Sequence, residues 1–99
     1  MTTLRIVIED LGAWRPGARL FAEYDAATCA IRINARCVEA LRARYGNAVA
    51  ESFVACAVAH ELYHIRARGG REVEARACAQ RATGIEPRIF EEMLLAASC

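Results

Sequence analysis

Only two histidines occur in the 99 residues, and both fall in the stretch Val58-Ala59-His60-Glu61-Leu62-Tyr63-His64-Ile65, which has the form HExxH. At 3.6 residues per turn, positions i and i+4 share one helical face, about 40° apart around the axis. Two imidazoles placed in this way can hold two corners of a tetrahedral Zn²⁺, each nitrogen about 2.0–2.1 Å from the ion. Glu61 lies about 100° further round, where its carboxylate reaches the position a water would take to complete the coordination. The chemistry this points to is metal-assisted hydrolysis with Glu61 as general base. The plainer reading is a buried helix that carries two satisfied histidines. Against it, Phe53 to Ala59 is apolar throughout and leads straight into His60 and Glu61. Burying an imidazole pair and a carboxylate with no partner would be unfavourable by several kcal/mol, and a metal ion supplies the partner.

A catalytic zinc site takes three protein ligands and leaves one position open. There is no third histidine, and Cys56 precedes the motif on the same helix, so the nearest donors are Glu72 and Glu74, just beyond Gly69-Gly70. These two carboxylates sit about 200° apart on a helix, and only one of them can face the metal. If the two helices ran strictly antiparallel about the glycines, Glu74 would lie nearer the level of His64.

The elements that must position these groups can be read along the chain. Leu4–Ile8 is a β-rich run, and Gly12, Pro16 and Gly17 mark the connection after it as loop. Leu20–Tyr24 and Cys29–Asn34 read as two further strands, and the short turn Asp25–Thr28 between them favours an antiparallel hairpin. In the last strand Ile31 and Ile33 face one side and Arg32 the other. If this strand were a sheet edge, an extended peptide could dock on it, with Ile31, Arg32 and Ile33 as substrate-binding residues; a strand paired within the sheet is the alternative. Asn34 is a good N-cap for a helix over Ala35–Tyr45. A second helix, about Ala48–Arg68, carries the histidines and is apolar almost all round in its middle, which marks it as central and buried. Gly69-Gly70 ends it, a third helix runs from about Arg71 to Thr83, and Pro87 opens a fourth. The fold class expected is α+β: one domain with a small antiparallel three-stranded sheet packed on about four helices.

Composition excludes other classes. The chain is 56% hydrophobic with a net charge of +1, its 13 basic and 12 acidic side chains interspersed. No basic field points to nucleic acid or to an anionic membrane, and no apolar run is long enough to span one. The five cysteines, Cys29, Cys37, Cys56, Cys78 and Cys99, form no CxxC pair and argue for a reducing compartment. With no signal-peptide pattern in its first residues, the chain reads as cytoplasmic.

HELYH followed by a helix bearing Glu72-Val-Glu-Ala-Arg-Ala-Cys-Ala79 resembles the gluzincin metallopeptidases, above all their smallest members, the minigluzincins. The resemblance covers roughly residues 29 to 83 and implies a zincin-like minimal catalytic domain. It also implies a glutamate helix of the form E-x-x-A-D, on which Glu72 is the zinc ligand and Ala75 the small residue that lets the helices approach. Arg76 stands where that pattern has Asp, and Tyr63 where the residue before the second histidine is usually small. The function implied is that of a zinc peptidase acting on a peptide or protein, with His60, His64 and Glu72 on the metal, Glu74 as the alternative ligand, and Glu61 as the base. The resemblance also implies latency, through C-terminal residues up to Cys99 bending into the cleft; a frayed terminus with an incidental cysteine is the alternative. A rival from another class keeps the zinc without turnover, as a peptide-binding or regulatory module.

Overall fold

The structure, a computed structural model, describes residues 3–14 and 21–97. Three strands are followed by four helices: β1 (Arg5–Glu9), β2 (Ala22–Asp25), β3 (Ala30–Asn34), α1 (Ala35–Tyr45), α2 (Asn47–Arg66), α3 (Glu72–Thr83) and α4 (Pro87–Ala97). The α+β class and the four helices agree with the sequence reading. The sheet does not agree in one respect, because it is mixed. Its order is β1-β3-β2, with β3 antiparallel to β2 but parallel to β1.

The parallel pair follows from the connection after β1. Asn34, at the end of β3, accepts the Leu11 amide on Oδ1 at 3.2 Å and donates Nδ2 to the Gly12 carbonyl at 2.9 Å. The chain leaving β1 is thereby tied beside the C-terminal end of β3, with Glu9 and Asn34 in register. The same Oδ1 accepts the Arg36 amide at 3.1 Å as the N-cap of α1. Asn34 is fully buried, and its amide is occupied by the two backbone segments it joins.

Because β3 is the central strand, it has no free edge. Ile31 and Ile33 are fully buried, and Arg32 is engaged by Glu9 at 2.9 Å and by Glu23 on the opposite face of the sheet. Ile31, Arg32 and Ile33 therefore cannot dock a peptide by strand addition, which corrects the sequence-based expectation. Among the described residues the open edges belong to β1 and β2.

Ile31 and Ile33 face the helical layer, where Val38 and Leu41 of α1, Phe53 of α2 and Phe90 and Leu94 of α4 complete the core. α2 packs against α1, α3 and both β2 and β3, so the helix that carries the histidines is the central one. No helix among the described residues is long and apolar enough to cross a membrane.

Candidate metal centre

The face of α2 that enters the core continues into the site. Phe53 and Ala57 are buried, and His60, Glu61 and His64 follow at the i+3, i+4 and i+7 positions from Ala57. The rings of His60 and His64 sit edge to face with centroids 4.8 Å apart. Three successive positive φ angles, Arg68 at 52°, Gly69 at 106° and Gly70 at 59°, then reverse the chain into α3. On α3, Ala75 and Ala79 are fully buried, one turn apart, and their small side chains let α3 lie close to α2. Glu72 occupies the first turn of α3, where the helix dipole favours a carboxylate.

Gly70 is required at the reversal for two reasons. A Cβ there would lie 2.6 Å from Cε1 of the Tyr63 ring, and a φ of 59° is left-handed. Gly70→Ala is expected to destabilise the fold by about 1–2 kcal/mol from backbone conformation alone. It should also weaken metal binding, because Tyr63 and the start of α3 must shift. Thermal unfolding and metal titration of that variant check both effects.

The structure brings His60, His64 and Glu72 together. One ligand atom from each falls within 4.8 Å of the others, a group that could hold a metal ion. His60 Nε2 is 2.5 Å from Glu72 Oε1, and His64 Nε2 is 3.2 Å from Glu72 Oε2. Ligand atoms on a tetrahedral zinc would be separated by about 3.3–3.4 Å, from its usual bond lengths, so the His64–Glu72 spacing already matches. The tautomer matches as well. His64 Nδ1 is held by the Gly69 carbonyl, which places a proton on Nδ1 and leaves the lone pair of Nε2 facing a carboxylate oxygen. Two lone pairs facing each other call for a cation between them, either a proton or a metal ion.

The electrostatics favour the same cation. Glu61, hydrogen-bonded to His60, raises the His60 pKa above its ordinary 6.5; Glu72 adds to this, against the desolvation that lowers it. Burial pushes the Glu72 carboxyl up, but hydrogen bonds and charge from His60 and His64 prevail and hold it below the usual carboxylate value. Glu61 lies beside the group, with Oε1 3.5 Å from His60 Nδ1. Cys56, one turn earlier on α2, has its thiol pushed up to about 11 by burial, partly offset by Arg76, and is not in the group whose ligand atoms converge.

Glu74 is turned away. The Tyr63 hydroxyl donates to its Oε2, and Arg71 Nη1 lies 4.0 Å from its other oxygen. Glu74→Ala is therefore expected to leave metal affinity within about twofold, a change within the scatter of ordinary surface substitutions. A loss comparable to that of Glu72→Ala would reassign the ligand, and competitive titration with a chelating dye measures it.

These groups line a cleft of about 630 Å³. Its apolar wall is a run of aromatic contacts that the sequence reading did not single out. Trp14 stacks on Phe21 at 5.5 Å, Phe21 meets Phe53 edge-on at 5.5 Å, and Phe53 meets Phe90 at 5.6 Å. Phe53 carried a faint signal, seven residues before His60 on the same helical face, and Phe90 belongs to the apolar stripe Ile89, Phe90, Met93, Leu94 and Ala97 of the fourth helix; Trp14 and Phe21 come from separate segments and had none. β2 supplies another side of the cleft through Ala22, Glu23 and Tyr24. Arg76, at the position where the E-x-x-A-D pattern has Asp, pairs with Glu91 of α4 at 3.1 Å, and both line the cleft. Leu95 lines the cleft, and Leu95 to Ala97 belong to α4 rather than to a free tail. The expectation for Cys99 lies outside the described residues.

No protein-family model, no curated protein and no solved structure matches this chain.

Proposed function

We propose that the chain is a small zinc-dependent peptidase whose Zn²⁺ is held by His60, His64 and Glu72. The observation that carries this reading is the convergence of two imidazoles and one carboxylate in a cleft that also holds Glu61. Two nitrogens and one oxygen with room for a fourth ligand is a zinc set. The same donors also suit non-haem iron; a carboxylate next in sequence to the first histidine, placed to accept a proton, is what favours hydrolysis. The resemblance of HELYH and the Glu72 helix to the minigluzincins supports the same class.

Zinc bound there would supply Lewis acidity, making a scissile carbonyl more electrophilic and an attacking water more acidic. Glu61 accepts the proton that this water loses as its oxygen attacks the carbonyl carbon. It then delivers that proton to the nitrogen of the leaving amine as the C–N bond breaks. The products are a carboxylic acid and an amine, with no proton left on Glu61. His64 is kept in position by the Gly69 carbonyl, and His60 by Glu61.

The substrate strand docks on β2 rather than β3. The Asn34 amide donates to the Phe21 carbonyl at 2.7 Å, so by the antiparallel alternation Glu23 turns its backbone groups to β3, and Ala22 and Tyr24 turn theirs outwards beside the cleft. An extended peptide added there runs past the metal.

The test is hydrolysis of unstructured peptides by the zinc-loaded protein. Activity is expected to disappear with a chelator and to return when zinc is restored. A protein that binds zinc stoichiometrically yet hydrolyses no peptide, with or without its last residues, would replace the peptidase reading by that of a zinc-stabilised binding module.

A further inference from the structure

Strand β1 has two properties that the metal centre does not use. Its edge away from β3 has no partner among the described residues, and Ile6 and Ile8 are 53% and 49% exposed. Both isoleucines lie on the face where the core is densest, since Ile6 stands beside Ile31 and Ile8 beside Ile33 in the parallel register. The helical layer covers this face fully at β3 and leaves it half open at β1. Leu4, also exposed, precedes them at the same two-residue spacing.

The backbone of this edge is open as well. The Arg5 amide donates to the Cys29 carbonyl at 3.0 Å, so Arg5, Val7 and Glu9 turn their amides and carbonyls to β3, and Ile6 and Ile8 turn theirs outwards. An apolar edge strand with free donors and acceptors is a template for a further strand.

The residues of β1 select that strand. Arg5-Ile6-Val7-Ile8-Glu9 is its own complement when reversed. Set antiparallel to a second copy about a two-fold axis at Val7, Arg5 faces Glu9 of the other copy, Ile6 faces its Ile8, and Val7 faces its Val7. Val7 is then a non-hydrogen-bonded pair, and each Ile6–Ile8 pair exchanges two N–H···O=C bonds through the groups that point outwards. All the isoleucines share the face that continues from Ile31 and Ile33. The Arg5–Glu9 pairs fall on the other face, near Arg32, which already holds Glu9. A parallel arrangement would instead set Arg5 against Arg5 and Glu9 against Glu9, which like charges disfavour.

The geometry points to a two-fold homodimer through β1, in which the two three-stranded sheets become one of six strands. Both helical layers lie on the same side of that sheet. The clefts lie at the two outer β2 edges, so both sites stay open, and the inference does not depend on the metal.

Sedimentation velocity and amide hydrogen exchange, measured on the full chain from micromolar to millimolar concentration, test it. The 10.9 kDa chain is expected to give way to twice that mass as concentration rises, with the Ile6 and Ile8 amides becoming protected in step. Ile8→Lys should hold the chain at single mass with unchanged helical circular dichroism. Arg5→Glu, which leaves the Glu9–Arg32 pair in place and sets Glu against Glu9, should weaken association about tenfold. A chain that stays at single mass at millimolar concentration overturns the inference. So does a dimer whose Ile6 and Ile8 amides exchange freely, or one that Arg5→Glu and Ile8→Lys both leave intact.

Discussion

Glu61→Gln is expected to retain one zinc per chain and to lower peptide hydrolysis by about 10²–10⁴-fold, the usual contribution of a positioned general base. The amide has the shape of the carboxylate but cannot take a proton from water at neutral pH. Its oxygen can still accept the hydrogen bond from His60 Nδ1, which Glu61 faces at 3.5 Å, so the ligand set should survive. The informative measurement is therefore paired: zinc content and rate on the same preparation. Loss of both together would make Glu61 a positioning residue for His60 rather than the base. Unchanged activity would remove Glu61 from the mechanism altogether.

Removal of a ligand should have the other large effect. His60→Ala, His64→Ala and Glu72→Ala are each expected to weaken zinc binding by more than about 100-fold, beyond the loss typical of a residue that only supports a ligand. Stability should follow by mass action. Zinc at about a thousand times its dissociation constant contributes about 4 kcal/mol, which for a domain of this size corresponds to about 15–30 °C in melting temperature. A chelator should therefore lower the melting temperature of the wild-type chain and leave these variants unaffected. Wild-type protein with sub-stoichiometric zinc after supplementation, and a melt indifferent to chelator, would end the metal reading.

The helices were legible from the sequence to within a residue or two because their ends carry local chemistry. Asn34 caps α1, Gly46 and Gly84 close helices, and Pro87 opens α4, each through atoms near in sequence. His60, Glu61 and His64 were legible for the same reason, since one helical turn fixes their mutual positions. The parallel pairing of β1 was not, because it depends on how the chain crosses between β1 and β2, and on contacts from Asn34 to Leu11 and Gly12 across more than twenty positions. That one contact reassigns β3 from edge to centre and takes Ile31, Arg32 and Ile33 out of any docking role. The choice between Glu72 and Glu74 was open to spacing alone. In the structure the Tyr63 hydroxyl engages Glu74, and Glu72 is the carboxylate that faces the histidines.

The placement of all three donors between positions 60 and 72, in two adjacent helices and one turn, bears on the order in which the molecule assembles. Closing so short a loop costs little chain entropy, whereas the β1–β3 pairing must gather residues more than twenty positions apart. An ion can therefore be captured by a nascent α2–α3 hairpin before the sheet exists. On the zinc reading proposed above, the captured ion would hold the first turn of α3 against α2. The metal would then act as a nucleus of folding as well as an instrument of chemistry, and metal supply during synthesis would govern how quickly the chain reaches its native state.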